Sequence, residues 1–199
     1  MKLRGKPNRD ALYRTAEQQA GYFTARQGAA AGFSAERLSS LAQLGRIQRL
    51  ARGIYRLRHF PASRFEDLFV AWLRCGPRSV ISHHSALSLF DLSDVIPSQV
   101  HVTIPRSGSR RRPGIRLHTG KLPRSSVTMR EGLPVTSVPR TIADVARFGM
   151  ASDHVQQAVQ DALRRGLVTP EALRKEARRG GGRTWRLIGP LLLRQRAAA

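Results

Sequence analysis

Four of the six histidines, His83, His84, His101 and His118, fall within one stretch of the chain, near the ends of expected strands or helices. Two or three imidazoles converging with a carboxylate such as Asp144 can hold a transition-metal ion. Their spacing does not announce such a site, because neither HxH nor HExxH occurs. Half-buried histidines that bond backbone or cap helices account for the same residues, so no metal or cofactor is assigned. Ser82 or Ser85 beside His84 offers a hydroxyl next to a base, but no GxSxG elbow surrounds them. Paired carboxylates for acid-base work are missing, as is the acidic cluster that a metal-dependent nuclease needs. No catalytic residue is assigned, and no enzyme activity is expected. The single cysteine, Cys75, excludes an internal disulfide and a CxxC zinc site, and reads as a buried thiol.

The second chemistry is cationic. Lys and Arg number 35 against 13 Asp and Glu, a formal charge of +22 over 199 residues, which points to a polyanionic partner. The segment "GRIQRLARGIYRLR", residues 45–58, carries five arginines on an alternating apolar frame. Ile47 and Leu50 face Ile54 and Leu57 across Arg52-Gly53, whose glycine permits the positive φ of a tight hairpin.

The elements before this hairpin decide what it serves. Leu12, Ala16 and Ala20 recur at helical spacing, and "GYF" breaks the pattern. Thr24 can cap a short second helix whose alanines allow close packing, with Gly32 in the turn that follows. Ser34 caps a third helix, in which Leu38, Leu41 and Leu44 form an apolar stripe and Gly45 ends the run. Three helices followed by a basic hairpin predict a winged helix-turn-helix over residues 1–60. In that arrangement Ser34, Arg37, Ser40 and Gln43 of the third helix stand near base edges, and Arg46, Arg49, Arg52 and Arg56 of the wing reach phosphates or the minor groove. Arg37 is the candidate for base readout, because its guanidinium can donate two hydrogen bonds to guanine. A small helical module with a solvated charged hairpin, or a protein-protein module, would share the pattern.

Residues 61–180 read as a mixed α+β domain. Phe65, Leu68, Phe69, Trp72 and Leu73 mark a strong amphipathic helix. "VIS" is a short buried strand, and "HHSALSLFDL" a helix with Ser82 as its cap. "QVHVTIP" and "GIRLHTG" are two strands joined by an arginine-rich loop, and "VTM" and "LPVTS" pair around Glu131-Gly132. Three helices follow, with Pro139 near the start of the first, Ser152 capping the second, and Thr169 with Pro170 opening the third. Arg106, Arg110, Arg111 and Arg112 in the loop are either a solvated tip or a second nucleic-acid contact. "RRGGGR" is a glycine hinge without the P-loop signature. It leads to an apolar helical tail over 181–199. No apolar run approaches the roughly 20 residues that span a bilayer, and "MKLRGKPNRD" lacks the apolar stretch of a signal peptide, so a cytoplasmic location is expected and membrane partners are not.

Three blocks then carry a more specific signal: "GYFTARQGAAAGFSAERLSSLAQLGRIQRLARGIYRL", "VISHHSALSLFDLSDVIPSQVHVTIPR" and "RLHTGKLPRSSVTMREGLPVTSVPRTIADVA". In this order and spacing, from about residue 10 to 175, the chain resembles AbiEi-type antitoxins, the transcriptional-regulator half of type IV (abortive infection) toxin-antitoxin systems. The resemblance implies a winged helix that binds inverted repeats in its own promoter, an α+β antitoxin domain, and a nucleotidyltransferase-like toxin countered without stable contact. It carries over Thr24 and Ser34 as caps, Arg37 in the third helix, and Arg46, Arg49, Gly53 and Tyr55 in the wing. "SHHSAL" supplies Ser82, His83, Ser85, Ala86 and Leu87. "TSVPRTIAD" supplies Thr136, Arg140, Thr141 and Asp144, with Arg140 and Asp144 expected to tie a helix start to the sheet. Some longer relatives continue past "GGGRTWRLIGPLLL" into a restriction-endonuclease-like domain with acidic catalytic residues, and no such activity is expected of residues 1–199. A nucleic-acid-processing enzyme and a nonspecific nucleic-acid binder remain the alternatives to a sequence-specific repressor.

Overall fold

The computed structural model describes residues 6–94, 97–105 and 111–196. The chain is mixed α+β and divides into two compact units, residues 1–77 with 131–133, and residues 78–130 with 134–199.

The first unit runs α1 (Arg9–Glu17), β1 (Tyr22–Thr24), α2 (Ala25–Ala30), α3 (Ala35–Gln43), β2 (Ile47–Ala51), β3 (Ile54–Leu57) and α4 (Glu66–Cys75). Asn8 caps α1, and Thr24 and Gln27 form a reciprocal capping box on α2. The turn into α3 depends on Gly32 at φ +85°, behind which the Phe33 N–H bonds the carbonyl of Gly28. Gly45, at φ +67°, ends α3 in the same way, with the Arg46 N–H on the carbonyl of Leu41. The close approach of α2 to α3 is made by Gly28 rather than by the alanines. A Cβ on Gly28 would stand 3.1 Å from Leu38 Cδ1.

β3 is the central strand of an antiparallel sheet ordered β1-β3-β2. The sequence pattern gave no hint of β1, because three residues are too few to establish an alternation. Phe23 and Tyr55 point to one face of this sheet and join Leu12, Ala16, Phe33, Leu38, Ile47 and Leu57 in the core beneath the helices. Tyr22 and Arg56 are register partners on the other face, which α4 covers. The Tyr22 ring stacks on Phe69 at 4.5 Å, so α4 is part of this unit rather than the opening of the second.

The second unit contains a sheet ordered β6-β5-β4-β8-β7, with β4 (Val80–Ile81), β5 (Val100–Ile104), β6 (Ile115–Thr119), β7 (Val127–Arg130) and β8 (Leu133–Thr136). Glu131 and Gly132 both have positive φ, the geometry of a two-residue hairpin turn between β7 and β8. β5 and β6 are neighbours but run parallel. Helices α5 (His83–Leu89), α6 (Val138–Phe148), α7 (Ser152–Arg164), α8 (Pro170–Arg179) and α9 (Gly182–Arg196) complete the unit. Thr169 caps α8, whereas Ser152 is the first helical residue of α7 and makes no cap bond. At the corner between α8 and α9 a Cβ on Gly180 would lie 2.7 Å from Thr184 Oγ1, so the glycine run is a packed corner. Ile188 and Leu192 anchor α9 in the core. Among the described residues no helix is long and apolar enough to cross a membrane.

Candidate functional site

The first unit presents an exposed cationic face. On α3, Leu38 is 1 % exposed and turned to the core, while Arg37, Ser40 and Gln43 are exposed. The Ser34 hydroxyl accepts from the Arg37 N–H at 3.2 Å and is committed to capping. The Ser40 hydroxyl donates to the carbonyl of Glu36 and keeps its lone pairs for a further donor. Leu44, expected in the apolar stripe, is 73 % exposed, because α3 ends at Gln43 and the chain turns away at Gly45.

On the hairpin Arg46, Arg49 and Arg52 are exposed, and Arg58 beyond its end joins them. A register shift between Arg49 and Ala51 bulges Leu50. Arg56 corrects the sequence reading: it is 8 % exposed, on the sheet face that α4 covers. Its Nη2 donates to Gln48 Oε1 at 2.6 Å, and its Nε lies 3.8 Å from Glu66 Oε2, which also accepts from the Tyr22 hydroxyl. That side chain is a structural tie between sheet and helix, with no path to a phosphate. Alternation along a strand marks which residues share a face, but it does not show which face another element will cover.

In the second unit Arg111 is exposed and Arg112 half-buried, and both line a groove with Arg116. Arg106 and Arg110 lie outside the described residues.

The histidines gather, which their spacing did not reveal. The parallel register sets His101 opposite Arg116 and Thr103 opposite His118, so both imidazoles stand on one face of β5 and β6. His83 opens α5 directly after β4, the antiparallel neighbour of β5. One ring nitrogen from each of His83, His101 and His118 lies within 4.8 Å of the others. His118 Nε2 is 3.2 Å from His101 Nδ1, a hydrogen bond in which one neutral ring donates to the other. The His83 and His118 rings stack at 3.5 Å and 12°. Phe148 packs edge-on against His83, His84, His101 and His118.

Ser82 does not cap α5. Its Oγ is 3.0 Å from His83 Nδ1 and accepts from the Thr103 hydroxyl at 2.8 Å. The Ser85 hydroxyl accepts from the His101 N–H at 2.9 Å. His83 itself has φ +51°, a conformation costing a non-glycine residue about 1–3 kcal/mol and held only where the surroundings impose it.

Burial, followed by mutual repulsion within the cluster and from nearby arginines, lowers the imidazole pKa values to about 2 for His83, about 3 for His101 and about 4 for His118. All three are therefore neutral at physiological pH. His83 and His118 open onto a cleft of about 420 Å³, together with Arg140, Asp144 and Phe148. Burial raises the Asp144 carboxyl against the opposing pull of Arg140, whose Nε lies 2.9 Å from both its oxygens. This pair lies within α6. The tie from α6 to the sheet is made instead by Thr141, whose hydroxyl donates to the Thr136 carbonyl at 2.9 Å.

Comparison with known proteins adds a match over the first unit and a similar fold. No curated protein sequence matches the chain significantly. The fold is similar to that in the crystal structure of the RV2827C protein from Mycobacterium tuberculosis, with a TM-score of 0.55 and 14 % identity over 95 % of this chain and 78 % of that one. Residues 10–58 match the family model described as transcriptional regulator, AbiEi antitoxin. The match takes in every element from α1 to β3 and stops short of α4, so it is narrower than the resemblance read over residues 10–175. Over residues 10–58 the chain is thus similar to transcriptional regulators of the AbiEi antitoxin type.

Proposed function

We propose that the protein is a sequence-specific DNA-binding repressor, the antitoxin of a type IV toxin-antitoxin operon, acting in the cytoplasm on inverted repeats in its own promoter. Residues 1–60 serve as a winged helix-turn-helix in this reading, with α3 in the major groove and the β2–β3 hairpin as the wing. The observation that carries it is the division of α3 into a core face at Leu38 and an exposed face of Arg37, Ser40 and Gln43, beside a hairpin that exposes Arg46, Arg49 and Arg52. Such a surface combines a helix able to read base edges with cations for phosphates. Arg58 joins the wing set and Arg56 leaves it. Arg111 and Arg112 are a candidate second DNA contact. The toxin is a nucleotidyltransferase-like protein opposed without stable contact, and the antitoxin itself performs no catalysis.

Fluorescence anisotropy on the upstream region of the gene, against scrambled duplex and across a salt series, tests this. With roughly six phosphate contacts the slope of log K against log salt is near −5, at about −0.9 per contact. Arg37→Ala should lose about 1–3 kcal/mol of discrimination at one base position. Replacing Arg46, Arg49 and Arg52 by glutamine should flatten the slope by about 3 and weaken all sequences alike. Equal affinity for both duplexes at moderate salt, unchanged in pattern by Arg37→Ala, would reduce the surface to a nonspecific polyanion binder and end the repressor reading.

A further inference from the structure

We infer that His83, His101 and His118 form a binding site for one divalent transition-metal ion of the zinc class, with its fourth coordination position on the Arg140–Asp144 cleft. The inference is independent of DNA binding. Among the described residues this is the one group of three potential ligands whose donor atoms lie within 4.8 Å of one another. Ligand nitrogens around a tetrahedral zinc, at about 2.0–2.1 Å from the metal, are about 3.3 Å apart. His101 Nδ1 and His118 Nε2 already stand 3.2 Å apart, with no backbone movement needed between two adjacent strands.

The donor chemistry selects the ion. Three imidazoles suit zinc, cobalt, nickel or copper, and offer nothing to magnesium or calcium, which take oxygen ligands. Asp144, the carboxylate lining the cleft, is held through both oxygens by Arg140 and does not join the set. Burial keeps all three rings neutral, the form in which imidazole binds metal.

The surroundings of His83 supply an orienting contact. Its Nδ1 can donate to Ser82 Oγ, which also accepts from Thr103, leaving Nε2 for the ion. The near-parallel stack of His83 on His118 places an ion in the plane of His118 outside the plane of His83. Loading therefore requires a turn of the His83 ring about its soft outer torsion. Three protein nitrogens with a fourth position open describe a site that keeps a water or an exchangeable ligand rather than a closed structural one.

The test uses the full-length protein, freed of metal with a chelator and titrated with Co²⁺. One equivalent per chain should bring up the visible bands of a four-coordinate ion, and Zn²⁺ should then bleach them. His101→Ala and His118→Ala should each weaken binding by at least about 100-fold, and Ser82→Ala by about 10- to 100-fold. His59→Ala and His154→Ala, outside the cluster, should change nothing. Should the cluster variants fail to fold by circular dichroism, ¹⁵N imidazole spectra of the unaltered protein give the same answer: Zn²⁺ should shift three of the six histidines. No Co²⁺ bands at micromolar metal, or shifts confined to His59 and His154, would overturn the site.

Discussion

The cationic face of the first unit and the histidine cluster of the second are built in opposite ways. Arg37, Arg46, Arg49 and Arg52 are exposed and charged, and neighbours in the chain set their positions. His83 and His101 are buried and His118 half-buried; all three are held neutral and come together from β5, its parallel neighbour β6 and the start of α5. One surface offers exposed charge that salt can screen. The other gathers three neutral nitrogen donors whose mutual geometry matters more than their charge. A charged face follows from local amphipathicity, while a buried cluster follows from register.

Acid should separate the two regions most. In the unfolded chain the three imidazoles take up protons below about pH 6.5. In the folded state they stay neutral down to about 4 for His118, about 3 for His101 and about 2 for His83. The unfolded state then holds more protons, so stability falls as pH drops from about 6.5 toward 4, by at most about 1.4 kcal/mol per pH unit for each histidine. Asp144, raised by burial, opposes this only at the acidic end. Urea unfolding followed at pH 7, 6 and 5 should show that loss in the second unit, and a flat profile would mean that the cluster is open to solvent.

Next in size is Leu38→Ala, which removes the buried side of α3 and should cost about 2–5 kcal/mol in denaturant unfolding. Arg37→Ala on the exposed side should leave the midpoint where it was. Equal effects on stability would erase the division of α3 into two faces.

The smallest contrast is between two serines. Ser34→Ala should cost about 1 kcal/mol, the value of an ordinary helix cap. Ser82→Ala, although Ser82 caps nothing, strands the Thr103 hydroxyl and His83 Nδ1 in the interior and should cost about 1–3 kcal/mol. A thermal melt of each variant ranks them, and Ser34 proving the costlier would mean that the Ser82 contacts are replaced by solvent.

Much of the fold was legible. The caps Thr24, Ser34 and Thr169, the hairpin at Arg52-Gly53 and the turn at Glu131-Gly132 follow from side chains acting within four residues of their own backbone. The site was legible only where it lay on such local elements. Arg56 was misread because α4, from beyond the hairpin, covers its face of the sheet. Ser82 occupies the cap position of α5 but turns its hydroxyl to the histidines, and Ser152, expected as a cap, is the first residue within α7, behind Ala151. Gly28, not the alanines around it, sets the approach of α2 to α3, a matter of one side chain on another helix.

The cationic character, the run of helices and hairpin in the first sixty residues, and the similarity of residues 10–58 to AbiEi antitoxin regulators all follow from the chain alone, because each of these is written in neighbouring positions. That β5 and β6 run parallel, that α4 closes over Arg56, and that His83, His101 and His118 meet is settled by long-range packing. Strand direction, sheet coverage and register are set by packing between distant segments, and alternation of side chains along one strand carries no record of its neighbour.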